Sequence, residues 1–255
     1  MQLPELIALF TDFGEAGPYS GQMEAVLLSS GVQIPVIRLL SDAPMCNPRA
    51  SAYLLAPLAQ QLPGNTLFLA IVDPGVGGSR LPLLVKTDHH WFVGPDNGLF
   101  SQIVKRAPGA SVQAIDLHPE RLSATFHGRD LFAPAVAAVC RGGEVPLLPV
   151  ETGKLVGRSW PDCLPEIIYI DHYGNAFSGI AADQVGDDAL LSVAGIEIGY
   201  ARTFSDVTRG EPFWYRNSIG LVEIAVNQGR ADLLLGLAIG EPFQVSQLLS
   251  EPESV

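Results

Sequence analysis

The 255-residue sequence predicts an α/β protein: an N-terminal sandwich of helices on a mostly parallel sheet, followed by a smaller C-terminal β-barrel. Three observations predict it. Up to about residue 141, short β-type runs alternate with helical ones, the pattern of strands joined by helical crossovers. Residues 142–165, GGEVPLLPVETGKLVGRSWPDCLP, carry four prolines and four glycines without a period and read as a linker. Beyond it the helical runs stop, and short apolar segments lie between Gly, Asn and Asp turns, as in a small barrel or sandwich. The expected division is an α/β domain at 1–145, a linker at 146–165 and a β domain at 166–255.

In chain order, LIALF (6–10) is a compact apolar run and reads as the first strand, and YSGQMEAVLLSS (19–30) as the first helix. VIRLL (36–40) precedes the helical run NPRASAYLLAPLAQQL (47–62), and LFLAIV (67–72), LLVK (83–86) and WFV (91–93) are further strands. GLFSQIVKR (98–106) is helical and VQAIDL (112–117) extended. The last helix opens in FHGRDLFAPAVAAV (126–139), where Asp130 is placed to cap it and Pro134 falls early enough to lose little. In the second part EIIYID, LLSVAGIEI, PFWYRN, LVEIAVN and FQVSQLL read as strands.

A formal net charge of −12 argues against nucleic acid or an anionic membrane as partner, because a phosphate backbone demands a basic patch. Small molecules, cationic ones included, stay open. Cys46, Cys140 and Cys163 are odd in number and widely spaced, so they read as reduced packing residues, not as a disulfide framework or zinc site. The first residues lack a basic segment and a long apolar run, and no stretch approaches the ~20 apolar residues of a membrane span. The expectation is a cytoplasmic protein.

Polar residues concentrate in four loops of the first part: FTDFG (10–14), IVDPGVGGSR (71–80), GPDNGLF (94–100) and TFHGRD (125–130). Loops at the C-terminal ends of strands in open α/β sheets are where ligands sit. Asp12, Asp96 and Asn97 are candidates as a set, although each alone also suits a turn or a cap. DPGVGGSR fails both phosphate-loop patterns, since Arg80 stands where a dinucleotide fingerprint needs glycine and no GK[ST] follows. It leaves Asp73 and Arg80 seven residues apart across a turn, either a structural ion pair or two members of one small site. His127, just before a helix N-terminus, is held where the dipole favours neutral imidazole. KTDHHW (86–91) reads as an exposed hairpin turn, because adjacent histidines point to opposite sides of extended chain and share a metal poorly. In the second part IDHYGNAF (170–177) and YRNSIG (215–220) place rings beside amides and hydroxyls, a mix suited to a purine and its ribose or to tight turns.

Taken together and in order, TDFG, VDPGVGGSR, GPDNGLFS, TFHGRDLFAP, IDHYGN and NSIGLVEIAVN resemble the S-adenosyl-L-methionine hydroxide adenosyltransferase family, the SAM hydrolases, which is related to the fluorinase and chlorinase enzymes. The likeness runs from about residue 6 to residue 245. It implies an N-terminal α/β domain, a C-terminal β-barrel, and a homotrimer whose active sites lie between subunits. It implies hydrolysis of S-adenosyl-L-methionine to adenosine and L-methionine, with no metal or organic cofactor. Carried onto this chain, the water-activating trio falls on Asp73, Arg80 and His127, and the ribose-binding aspartate on Asp12. Asp171, Tyr173, Asn175, Ser218, Glu223 and Val226 fall at nucleoside and methionine contacts, with Tyr173 at a position often Phe in relatives; Asn97 completes the substrate-binding candidates.

The implied chemistry is displacement at ribose C5′. The sulfonium leaves without protonation, so water is the difficult partner, and the expected roles are His127 taking a proton, Asp73 orienting water and Arg80 holding Asp73. An acidic Asp73 would repel fluoride or chloride, which favours a hydrolase over a halogenase. A nucleoside-binding or sensing protein without turnover is the alternative from another class, and it has no use for the trio.

Overall fold

The computed structural model describes residues 3–248, which fall into two compact units divided between Trp160 and Pro161. Unit 1 runs β1 (Leu6–Thr11), α1 (Tyr19–Ser29), β2 (Val36–Leu40), α2 (Pro48–Ala59) and β3 (Thr66–Ile71), then the hairpin β4 (Pro82–Lys86) and β5 (His90–Pro95). It continues with α3 (Ser101–Arg106), β6 (Ser111–Ile115), a π-helical turn at Gly128–Phe132 that passes directly into α4 (Ala133–Cys140), and β7 (Leu147–Pro149). All seven strands form one sheet in the order β2-β1-β3-β5-β4-β6-β7. β2, β1, β3 and β5 pair in parallel, while β4, β6 and β7 each pair antiparallel to the neighbour before them. β6 therefore runs with the parallel four, and β4 and β7 alone oppose them.

Period-two alternation sorts the sheet's side chains. Ile7, Leu9, Leu67, Leu69 and Val93 form one core with Met23 and Leu27 of α1, Phe132 of the π-helical turn and Val136 of α4. The intervening Phe10, Phe68 and Phe92 are also fully buried, and Phe68 stacks on Phe92 at 4.9 Å. Helix α2 is started by Asn47, whose side chain accepts the Ala50 N–H at 3.0 Å, with Pro48 behind it at the first helical position. The β1–α1–β2 crossover leads to one side of β1 and the β2–α2–β3 crossover returns to the other. The gap beyond the C-terminal ends of β1 and β3 is thus a topological switch point, where open α/β sheets hold ligands.

Residues 146–165 do not form an irregular linker. Leu147–Pro149 pair with β6 as the sheet's edge strand, and the rest up to Trp160 packs on unit 1: the Val156 N–H donates to Asp96 at 3.1 Å, and Lys105 donates to the Trp160 carbonyl. Proline and glycine content hid apolar residues that find partners there.

Unit 2 contains β8 (Leu164–Ile170), β9 (Ala176–Ala181), β10 (Leu191–Val193), β11 (Ile196–Ile198), β12 (Pro212–Arg216), β13 (Leu221–Val226), α5 (Ala231–Leu235) and β14 (Gln244–Val245). They make two antiparallel sheets, β12-β13-β9-β8 and β11-β10-β14, around a core of Ile167, Ile180, Leu191, Trp214, Val222 and Ile224. The expected barrel is not closed by continuous ladders: β10, β11 and β14 have three, three and two residues, and the two sheets meet at single bridges, Tyr200 with Trp214 and Glu166 with Pro242. LLSVAGIEI is a hairpin turning at Ala194 and Gly195, both at positive φ, instead of one strand. FQVSQLL gives only Gln244–Val245, with its last residue outside the described residues, and α5 corrects the expectation that no helix follows the linker.

Candidate active site

β1 and β3 pair in register, Thr11 opposite Ile71, so the residues after them emerge side by side at the switch point. Asp12 and Asp73 line one cavity there with Phe13, Cys46, Ile71, Pro74, Val76, Thr125, Phe126, His127 and Gly128, about 90 Å³ in volume. That is room for a few waters and not for a nucleoside.

The loop from Asp73 to Arg80 folds both ends onto this wall. Arg80 Nε lies 3.2 and 3.0 Å from the two Asp73 carboxylate oxygens and Nη2 lies 2.6 Å from Oδ2, a pair whose side chains are only 10% and 4% exposed. The turn depends on Gly77, at φ +80°, where a Cβ would meet the Ala124 carbonyl oxygen at 2.5 Å. That contact seats the Asp73 loop on the segment that carries His127. A buried ion pair is weak evidence for stability, since apolar replacements are often as stable, so its presence against the cavity is read as part of the site. Arg80 Nη2 also reaches Nδ1 of His127 at 2.9 Å. His127 is buried, and burial first, then the Arg80 charge, lowers its pKa below that of free histidine. Asp12 accepts the Cys46 N–H at 2.9 Å, and burial raises its pKa above the usual carboxylate range.

Phe126 and Gly128 line the cavity beside His127, and Arg129 and Asp130 hold the segment in place. Asp130 lies inside the π-helical turn instead of capping a helix from outside; it accepts the Ser123 N–H at 2.9 Å and pairs with Arg129. Arg129 also donates to Gln22 at 2.9 Å and lies over the Phe126 ring. Pro134 occupies the start of α4 as expected. Asn97 does not line the cavity: its amide donates to the Val72 carbonyl at 2.8 Å and accepts from the Leu99 N–H, tying the β5 loop to the end of β3. Of Lys86 to Trp91 only Thr87 to His89 form the β4–β5 turn, with Asp88 and His89 exposed, whereas His90 and the buried Trp91 belong to β5. Among the described residues, no three His, Cys, Asp or Glu gather in a way that could hold a metal ion. The cysteines are free, but Cys46 is exposed at the cavity rim and the other two are half-buried, so the packing role expected of all three fails for Cys46.

Unit 2 has its own cavity of about 730 Å³, within the range of small-molecule sites, and it gathers Asp171, Tyr173, Asn175, Ser218, Glu223 and Val226. β13 supplies Glu223 and Val226, and the turn after β8 supplies Asp171, Tyr173 and Asn175. Asp171 accepts both the backbone N–H and the side-chain amide of Asn175, at 2.9 and 3.3 Å. Glu223 is fully buried between Tyr215, whose hydroxyl donates to one oxygen, and Asn217, whose amide donates to the other at 2.9 Å. Burial pushes its carboxyl up to about 7, and the nearby Asp171 adds to this. Tyr215, Asn217, Phe177, Phe204 and Arg230 also line this wall; YRNSIG pointed to the first two and IDHYGNAF to Phe177, while Phe204 and Arg230 carry no motif.

Comparison with known proteins agrees with this layout. Residues 7–148 match the model of the SAM hydroxide adenosyltransferase N-terminal domain, and residues 165–244 that of its C-terminal domain. The chain is 35% identical to a Thermus thermophilus protein named (R)-S-adenosyl-L-methionine hydrolase over 94% of this chain and 98% of that one, and 33% identical to a Salinispora arenicola protein of the same name over 94% and 97%. Among solved structures, a conserved hypothetical protein of Thermus thermophilus is similar with a TM-score of 0.76 and 32% identity, covering 97% of this chain and all of that one. An uncharacterized conserved protein of Thermotoga maritima gives 0.79 and 27%, covering 94% and 99%.

Proposed function

Because the chain belongs to the SAM hydroxide adenosyltransferase family, we infer that it hydrolyses S-adenosyl-L-methionine to adenosine and L-methionine. The observation that carries this is the buried Asp73–Arg80–His127 group, held by hydrogen bonds beside Asp12 in a cavity of water-sized volume.

In this reading the cavity seats the attacking water. Arg80 locks Asp73 and His127 relative to each other, so the oxygen meets a fixed set of polar groups and not a rearranging one. Attack at C5′ forms the C–O bond as the C–S bond breaks, the bonding pair goes to sulfur, and the sulfonium charge disappears. Asp12 has one carboxylate oxygen beyond its Cys46 bond with which to accept ribose hydroxyls. The unit 2 cavity supplies rings and amides for the adenine, and the acids Glu223 and Asp171 for the cationic methionine portion. We assign no cofactor role to any residue. The Asp73 carboxylate beside the reacting centre disfavours a halide nucleophile, which supports hydrolysis over halogenation.

We also propose a homotrimer in which the unit 1 cavity of one protomer works with the unit 2 cavity of its neighbour. Support comes from the insufficient volume of the first cavity and from Tyr173, Leu233 and Leu234, apolar side chains 72, 74 and 55% exposed in unit 2. No helix among the described residues is long and apolar enough to cross a membrane. Free cysteines support a reducing, cytoplasmic setting.

Incubation with S-adenosyl-L-methionine in ¹⁸O-labelled water tests the reaction. Mass spectrometry should find methionine and adenosine carrying ¹⁸O at C5′. Unlabelled adenosine, or halogenated nucleoside in halide buffer, refutes it.

A further inference from the structure

Arg80 serves two partners at once. Its Nε and Nη2 hold the Asp73 carboxylate, and Nη2 stands 2.9 Å from Nδ1 of His127. A guanidinium has five N–H donors, no acceptor, and keeps its proton in proteins. The contact with Nδ1 therefore has one direction: Arg80 donates and the imidazole accepts. That spends the Nδ1 lone pair. A neutral imidazole carries a single ring hydrogen, which then sits on Nε2. The neutral form is the one its surroundings favour, since burial and the Arg80 charge outweigh the opposing Asp73 and Asp130 carboxylates. Among the described residues Nε2 has no partner within the chain, and His127 lines the cavity.

We propose that His127 serves the hydrolysis as a hydrogen-bond donor, holding the attacking oxygen through Nε2–H, and not as the general base expected from its place before a helix. The inference rests on the reading of the protein as a hydrolase of S-adenosyl-L-methionine. It changes where the proton goes. Water forms its bond to C5′, the C5′–S pair leaves with sulfur as the neutral thioether of methionine, and the proton of water passes to a carboxylate of the cavity wall. Two carboxylates stand there. Asp73 has both oxygens on Arg80, whereas Asp12 has one oxygen free of its Cys46 bond and a pKa raised by burial. An Nε2–H donor lowers the energy of the oxygen as it sheds this proton, and Arg80 supports the same charge from behind the ring.

Two measurements decide the matter. In the first, ¹⁵N NMR of the histidine-labelled free protein at about pH 8, with His127→Gln used for assignment, should show a neutral ring protonated at Nε2 and bare at Nδ1. A ring protonated at Nδ1 overturns the proposal whether or not the protein acts on S-adenosyl-L-methionine. In the second, glutamine presents an amide N–H near the place of Nε2–H but cannot take a proton. Single-turnover rates should fall ~10²-fold or more in His127→Ala, while His127→Gln recovers ~10-fold or more of that loss with the pH profile of the wild type. Equal loss in both variants, with native circular dichroism, overturns the donor role. A wild type that makes no adenosine refutes the parent reading alone, and the tautomer is still decided by NMR.

Discussion

Arg80 is the residue that converts a turn and a pre-helical histidine into one unit. It was legible in the sequence as half of an Asp–Arg pair seven residues apart, but spacing along the chain could not show that the same guanidinium also reaches His127, 47 residues on. Lysine would keep the charge and lose the planar fork, so it can hold Asp73 or His127 but not both in this geometry. Arg80→Lys is expected to lower single-turnover rates ~10²-fold while leaving adenosine affinity within a few fold. Asp12→Ala should differ by weakening adenosine as well, ~10- to 100-fold by calorimetry through loss of a charge-assisted contact, and it should also slow the single turnover because its free oxygen takes the proton of water. Glu223 sets a pH dependence. Its carboxyl is raised to about 7 in the fold against 4.5 for an unperturbed glutamate, so the folded chain holds the proton longer than the unfolded one. The sign follows: stability falls as pH rises from 4.5 towards 7 and is level above, by on the order of 3 kcal/mol in full. Urea denaturation of the ligand-free protein at pH 5 and pH 8 should show that fall, and Glu223→Gln should flatten it; a wild type equally stable at both would mean that Glu223 is ionised throughout.

At the scale of elements, the seating of the Asp73 loop on the chain before His127 depends on one glycine. Gly77→Ala places a methyl 2.5 Å from the Ala124 carbonyl oxygen on a backbone at φ +80°, where an L-residue is already strained. We expect a loss of about 1–3 kcal/mol in chemical denaturation and a fall in turnover larger than the change in adenosine affinity, because the loop's distance from His127 alters first. Gly64→Ala, at a position with open space and no positive φ, is the control and should change neither. Elements with a run of apolar residues were legible: β1, β3, α2 and β13 lie where their patterns put them. β9, AFSGIA, was not, because Ala, Ser and Gly carry little strand preference and its conformation is imposed by pairing between β8 and β13. α5, ADLLL, is one turn that buries only Ala231 and Leu235, with Leu233 and Leu234 turned outward, so it is too short for a helical period to announce it. The same reason separates the two halves of the site. Asp12, Asp73 and His127 follow or precede recognisable elements, whereas Phe204, outside every motif, reaches the unit 2 cavity through its packing on Phe213 and Tyr215.

For the whole molecule, the question is what completes a cavity of about 90 Å³ that has the chemistry but not the room for a nucleoside. The net charge of −12 suits a cationic substrate, and the larger cavity holds Glu223 and Asp171 facing space that a sulfonium or ammonium would neutralise. If the two cavities act together across protomers, assembly and activity are inseparable. Light scattering should then give a mass near three times 27.2 kDa, and dilution should lower specific activity as the trimer dissociates. Subunit mixing makes the stronger test. A trimer of Asp73→Asn chains has every unit 1 cavity damaged, and one of Ser218→Ala, Glu223→Gln chains has every unit 2 cavity damaged, so each alone should be nearly inactive. After the two are unfolded together and refolded, some interfaces join the sound unit 1 cavity of one chain to the sound unit 2 cavity of the other, and part of the wild-type turnover should return. Were both halves of each site supplied by the same chain, no mixed assembly could contain a sound site, and activity would stay at the level of the separate variants.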